Sequence, residues 1–306
     1  MALFGFLKRK RVWSPPEPRC IFMVACASTL PSASALLHPQ GEGGAMPGTF
    51  GPKPKETLEP SFGGRPLRPG DAFMARSTGG AAFLVSVEDG RSAEEFPGRA
   101  LTPEAWPFVK LNADLARRAR EAKAVVIVML VTRGQNLVRD ILFATRLADR
   151  ISVLGDGCAN DLLGCRFFGS GSWQVEQPVG ELDAREHIVI HAESGDPAGL
   201  WVHTHGLIKF GRPEFEIYGV PEAMWKGLSV AFLDLAMYVI GGALVKPGDT
   251  IGAPDAPLAA REGTRHRKGH WEECPVLELV DVDAARKPVE QGALRGIGAL
   301  LKSRGA

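Results

Sequence analysis

Between residues 187 and 205 the chain reads His187-Ile-Val-Ile-His191-Ala-Glu193, then Ser-Gly-Asp-Pro-Ala-Gly, then Leu-Trp201-Val-His203-Thr-His205. Both flanks alternate at the two-residue period of a strand, and the stretch between them is rich in turn formers, so this segment is committed to an antiparallel hairpin. Four of the seven histidines lie in it, which makes it the densest concentration of metal-ligating and proton-transferring groups in the chain. On the strand period His187, Val189, His191 and Glu193 share one face, as do Trp201, His203 and His205. Two registers satisfy the pattern. If Glu193 faces Trp201, His191 lies opposite His203 and the imidazoles gather; if Glu193 faces Leu200, a one-residue slip parts the two sets.

The rest of the chain alternates short apolar runs with glycine and proline. Strands are expected at 20–27, 71–76, 81–88 and 125–131, with helices at 32–37 and 106–122, which gives the order β-α-β-β-α-β of a ferredoxin-like unit. A Gly/Pro-dense loop over 38–70 interrupts it. Beyond it, a helix at 136–150 precedes strand signals at 151–154, 166–168, 173–176, 186–193, 200–205 and 215–218. A long apolar helix at 224–240 is apolar on more than one face and is expected to be buried against a sheet. Short strands at 250–251 and 276–280 follow. The fold class is therefore α+β, divided into a tail 1–19, a ferredoxin-like domain 20–133, a second, mainly antiparallel α+β domain 134–283 and an amphipathic tail 284–306.

The 36 basic and 35 acidic residues of the 306 leave a net charge of +1, which supplies no general field for nucleic acid. The basic run from Arg261 to Trp271 reads as an exposed hairpin arm. Five cysteines without C-x-x-C spacing point to reduced, buried thiols and a cytoplasmic protein. Lys8-Arg9-Lys10-Arg11 before the apolar run 20–27 faintly resembles a signal peptide, but Pro15, Pro16 and Pro18 interrupt the approach to it. Residues 1–13 could instead touch an anionic bilayer, and no stretch reaches the length of a membrane span.

His191, His203 and His205 are candidate ligands for a divalent metal, zinc foremost, with Glu193 or Glu214 as the base that would activate water. The competing reading is a buried, hydrogen-bonded histidine pair without metal, and under that reading no cofactor is expected. Glu214 and Glu216 otherwise read as the solvated edge of a sheet. Gly169-Ser170-Gly171 lacks the Gly-x-Ser-x-Gly elbow, and Cys158 after Gly155-Asp-Gly is a thiol near a helix start. Both read more simply as structural.

The strings Trp201-Val-His203-Thr-His205-Gly206-x3-Phe210-Gly211-x-Pro213-Glu214 and Gly248-Asp249-Thr250-Ile251-Gly252 resemble a group of uncharacterised bacterial proteins with W-x-H-T-H-G, F-G-x-P-E and G-[DE]-T-[IV]-G segments. That resemblance implies a bacterial α+β protein and carries no activity. It draws attention to Trp201, His203, His205 and Phe210 as binding residues. Together these features favour a non-catalytic binding or regulatory module for a protein or small ligand, with a metal-dependent hydrolase built on His191, His203 and His205 as the alternative.

Overall fold

A computed structural model describes residues 13–37, 64–77, 79–89, 96–172, 183–196, 198–254, 256–264, 275–283 and 293–302. The N-terminal residues 1–12, most of the Gly/Pro-rich loop, the expected strand at 173–176 and the basic stretch 265–271 lie outside them. The fold is α+β, with two six-stranded, mostly antiparallel sheets.

The first sheet contains β1 (Ile21–Cys26), β2 (Ala72–Arg76), β3 (Ala82–Asp89), β4 (Ala124–Thr132), β5 (Gly157–Asp161) and β6 (Arg166–Gly169), in the order β2-β3-β4-β1-β5-β6. The continuous apolar run of β4 reflects helical cover on both faces. Val126 and Val128 pack with α1 (Ala33–Leu37) and α4 (Leu137–Leu154), while Val125 packs with Leu115 and Ala119 of α3 (Ala113–Arg120). A further short helix, α2 (Pro97–Ala100), adjoins α3.

The ferredoxin-like expectation is corrected by this topology. A ferredoxin-like sheet places the first strand between the third and fourth, whereas here β4 lies between β3 and β1, and β1 pairs with β4 and β5. The helix expected at 136–150 also continues through 151–154, capped by Asn136 Oδ1 accepting from Arg139 N, so no strand forms there. β5 and β6 then return to the first sheet, so its boundary falls after Gly169 and not at residue 133. The helix expected over 106–122 is a 3-10 turn at Trp106–Val109 followed by the shorter α3.

The second sheet is β10-β11-β12-β9-β8-β7, from β7 (Val189–Asp196), β8 (Gly199–His205), β9 (Glu214–Val220), β10 (Thr250–Ala253), β11 (Ala256–Glu262) and β12 (Val276–Asp281). Among the described strands only β9 and β12 pair in parallel. A short helix, α5 (Ala184–His187), leads into β7. One face carries Val202, Ile217, Leu258 and Leu277 against Leu228, Phe232, Ala236 and Val239 of α6 (Trp225–Ile240). The last helix, α7 (Leu294–Lys302), adds Ile297 to that core, and its first turn donates two backbone N–H groups to Asp281.

The helix α6 buries one stripe and not its whole circumference: Val230, Met237 and Tyr238 are exposed. With the turn before it, Glu222–Ile240 has the length and apolarity of a membrane span, contrary to the sequence expectation that no stretch does.

The sheets meet at the 3-10 turn Leu207–Phe210. Ile141 of α4 joins the second core there, and the ammonium of Lys209 forms a buried ion pair with Asp161 at the end of β5. Asp161 also accepts from Gly164 N at 2.9 Å. A charge left alone at such depth is strongly penalised, while an apolar replacement of both partners is tolerated. Asp161→Ala should therefore lower the unfolding free energy by about 3–5 kcal/mol in urea titrations, and the double variant Asp161→Leu/Lys209→Met by much less.

Candidate metal centre

The hairpin adopts the register that gathers the imidazoles. Glu193 pairs with Trp201, His191 with His203 and Val189 with His205. Val202 faces the α6 core, so its neighbours Trp201 and His203 turn to the other side of the sheet. His187 does not join them, because α5 ends at it and the strand begins two residues later. It is buried edge-on to Phe210, and burial, reinforced by Lys209 and Arg166, holds its pKa well below the usual histidine range. It is neutral at pH 7.

One ligand atom each of His191, His203 and His205 lies within 4.8 Å of the other two. The Nε2 atoms of His203 and His205 are 3.1 Å apart. Two nitrogens bound to one tetrahedral ion at 2.0–2.1 Å would stand about 3.3 Å from each other, close to the spacing of this hydrogen-bonded pair. Glu193 Oε1 is 3.7 Å from His203 Nε2, and its side chain is 46% exposed where His203 is fully buried. The cluster thus runs from a dry floor to a wet mouth.

Each ring is held from outside the cluster. The indole of Trp201 stacks on His203 with ring centres 3.9 Å apart. Cys165 Sγ lies 3.5 Å from His205 Nδ1, which directs the Nε2 of that ring toward His203. His191 Nε2 is 3.2 Å from the carbonyl of Phe108; a carbonyl only accepts, so Nε2 carries the proton and the lone pair resides on Nδ1. Such hydrogen bonds to the non-ligating nitrogen are what metal-binding histidines commonly use for orientation. Only three described non-glycine residues have positive φ, and two of them, Lys110 and Cys165, flank these contacts. Strain of this kind persists where surrounding structure enforces it.

Other candidates serve the scaffold. Glu214 accepts from Thr204 Oγ1 at 2.7 Å and from the N–H groups of Gly206 and Ile208 at 2.9 and 3.1 Å, so both its oxygens close the turn after β8 and it is no base for the histidines. Glu216 accepts from Trp201 Nε1 and Tyr218 Oη. Both carboxylates are buried, which corrects the solvated-edge reading. Trp201 therefore braces His203, and Phe210 is a core residue. Cys158 lies inside β5 with its thiol pushed up to about 12 by burial, and Ser170 Oγ donates to backbone carbonyls.

Comparison with protein-family models, curated proteins and solved structures finds no match. The site is read from its own geometry. Sequence reasoning missed Cys165, Phe108 and Lys110 as neighbours of the cluster, since they come from the first sheet's turns, 40 and about 80–90 residues away along the chain. The glycine of the H-T-H-G string was legible: Gly206 has φ +110°, and a Cβ there would stand 2.3 Å from the carbonyl oxygen of His187.

Burial raises Glu214 from 4.5 to about 7, against the opposing pull of Thr204, Ile208, Gly206 and Lys209. The folded chain then keeps a proton that the unfolded chain releases, so this group's contribution is present below about pH 4.5 and is lost as pH rises through 7. Wild type should lose about 3 kcal/mol between pH 4.5 and 7.5 that Glu214→Gln does not lose, as read by urea unfolding at the two pH values.

Proposed function

We propose that this protein is a metal-dependent hydrolase whose divalent transition-metal ion is held by His191, His203 and His205, with Glu193 as general base. The observation that carries this reading is the convergence of three imidazoles within 4.8 Å beside a half-exposed carboxylate. Three protein ligands and an open position facing solvent are the pattern of catalytic zinc sites, whereas structural sites are closed by four. An ion so bound lowers the pKa of a water at the open position and polarises a substrate carbonyl.

Glu193 is the group placed to move the proton. It takes a proton from the attacking water as the oxygen bonds to the carbonyl carbon. It returns that proton to the leaving atom, which departs with the electron pair of the broken bond. The products are a carboxylic acid, ionised at neutral pH, and the protonated leaving group. His203 at the dry floor and Trp201 stacked on it keep the ligand set in place through this cycle.

Calorimetric titration of chelator-treated, untagged protein with Zn²⁺ and Mn²⁺ should give one site per chain, and His203→Ala/His205→Ala should abolish it while circular dichroism stays unchanged. Glu193→Gln should still take up the ion but hydrolyse p-nitrophenyl acetate about 10²-fold or more slowly. Absence of stoichiometric binding by the wild type would remove the proposal.

A further inference from the structure

A cleft of about 450 Å³ opens beside His191, and its make-up goes further than the metal reading on which this inference rests. Its floor is five consecutive residues, 188–192, running into and along β7. Phe108 and Lys110 form one wall, Trp225 and Leu233 of α6 the other, with Arg185 also in the lining. Among the described residues no acidic side chain lines it. Phe108 is 60% exposed, a large ring left in water at this wall.

We infer that the substrate of this site is an extended peptide carrying a carboxylate, added as a new strand to the outer edge of β7. The sheet order ends at β7, and among the described residues no strand pairs with its outer side. An edge strand presents backbone N–H and C=O groups at every second residue, and only an extended chain answers them in series; a compact molecule meets one or two. Walls of Phe108, Trp225 and Leu233 suit apolar side chains. Lys110 supplies the charge for a carboxylate, while Arg185, held by Asp183 at 3.0 Å, adds no net charge. His191 belongs to both the cleft floor and the metal cluster, so a peptide on β7 passes the ion with a carbonyl within reach. The bond cut is then an amide: water oxygen joins the carbonyl carbon, the C–N bond breaks with its electron pair on nitrogen, and Glu193 returns the proton to that nitrogen.

The probes are acetyl-Val-Leu-Phe-Val-Glu-amide and the same peptide N-methylated at alternate residues, titrated into the full chain and followed by amide and indole NMR shifts. The unmethylated peptide should move signals of residues 189–194 and of Trp225, and both the methylated peptide and the Lys110→Ala variant should weaken binding about tenfold. The metal-free variant His203→Ala/His205→Ala should still bind the peptide and fail to cleave it. Equal binding of the methylated probe, no shift at about 1 mM peptide, or octanoate moving these signals where the peptide does not, would each overturn the proposal. Peptide binding without metal uptake by the wild type would uphold the docking edge and sink the metal reading. Metal uptake without peptide binding would do the reverse.

Discussion

The carboxylate of Asp161 is the point on which the two sheets depend. One oxygen holds Lys209, from the turn that follows the histidine strand; the other accepts the N–H of Gly164 in the β5–β6 turn. A lysine with no exposed surface is tolerated only because that anion sits against it. The same carboxylate that neutralises Lys209 also shapes the turn carrying Cys165, whose sulfur meets His205. Junction and candidate site are therefore one construction, and loosening the ion pair would loosen an outer contact of the cluster.

On the second sheet's side, Glu214 plays the corresponding part for the turn. Three donors converge on it, from Thr204 between the two histidines and from the two N–H groups just beyond them. Burial disfavours its charge while these donors and Lys209 favour it, and the raised pKa marks burial as the stronger of the two. The local fold thus accepts an unfavourable carboxylate in order to end β8 sharply at His205, with Gly206 in a conformation only glycine adopts without penalty.

The hairpin was legible because alternation and turn composition are local signals, and His191, His203, His205 and Glu193 could be named from them. Its register was not, since it depends on whether Val202 or His203 faces the core laid down by α6, whose residues come later in the chain. The ferredoxin-like reading failed for a related reason. Element order matched, but the placing of β4 between β3 and β1 is decided by long-range contacts that leave no local trace. Glu214 and Glu216 were misread as solvated because two carboxylates at strand spacing look the same whether they face water or buried donors such as the Trp201 indole. Burial of α6 was overestimated because apolarity on several faces describes an exposed apolar stripe as well as an enclosed helix.

The 3.1 Å approach of His203 and His205 also limits what can occupy the cluster. With both rings neutral, one proton lies between two nitrogens and the contact is favourable. Charging both would set two cations at hydrogen-bond distance on the dry floor, with Glu193 as the nearby acid and that acid half in water. The divalent ion proposed above would resolve the conflict differently, because it would replace the shared proton and take His191 as a third donor. Trp201 keeps the His203 ring from turning away, and Cys165 does the same for His205, so binding the proposed ion would cost these rings little conformational freedom. The contacts that would preorganise the cluster come from residues of both sheets.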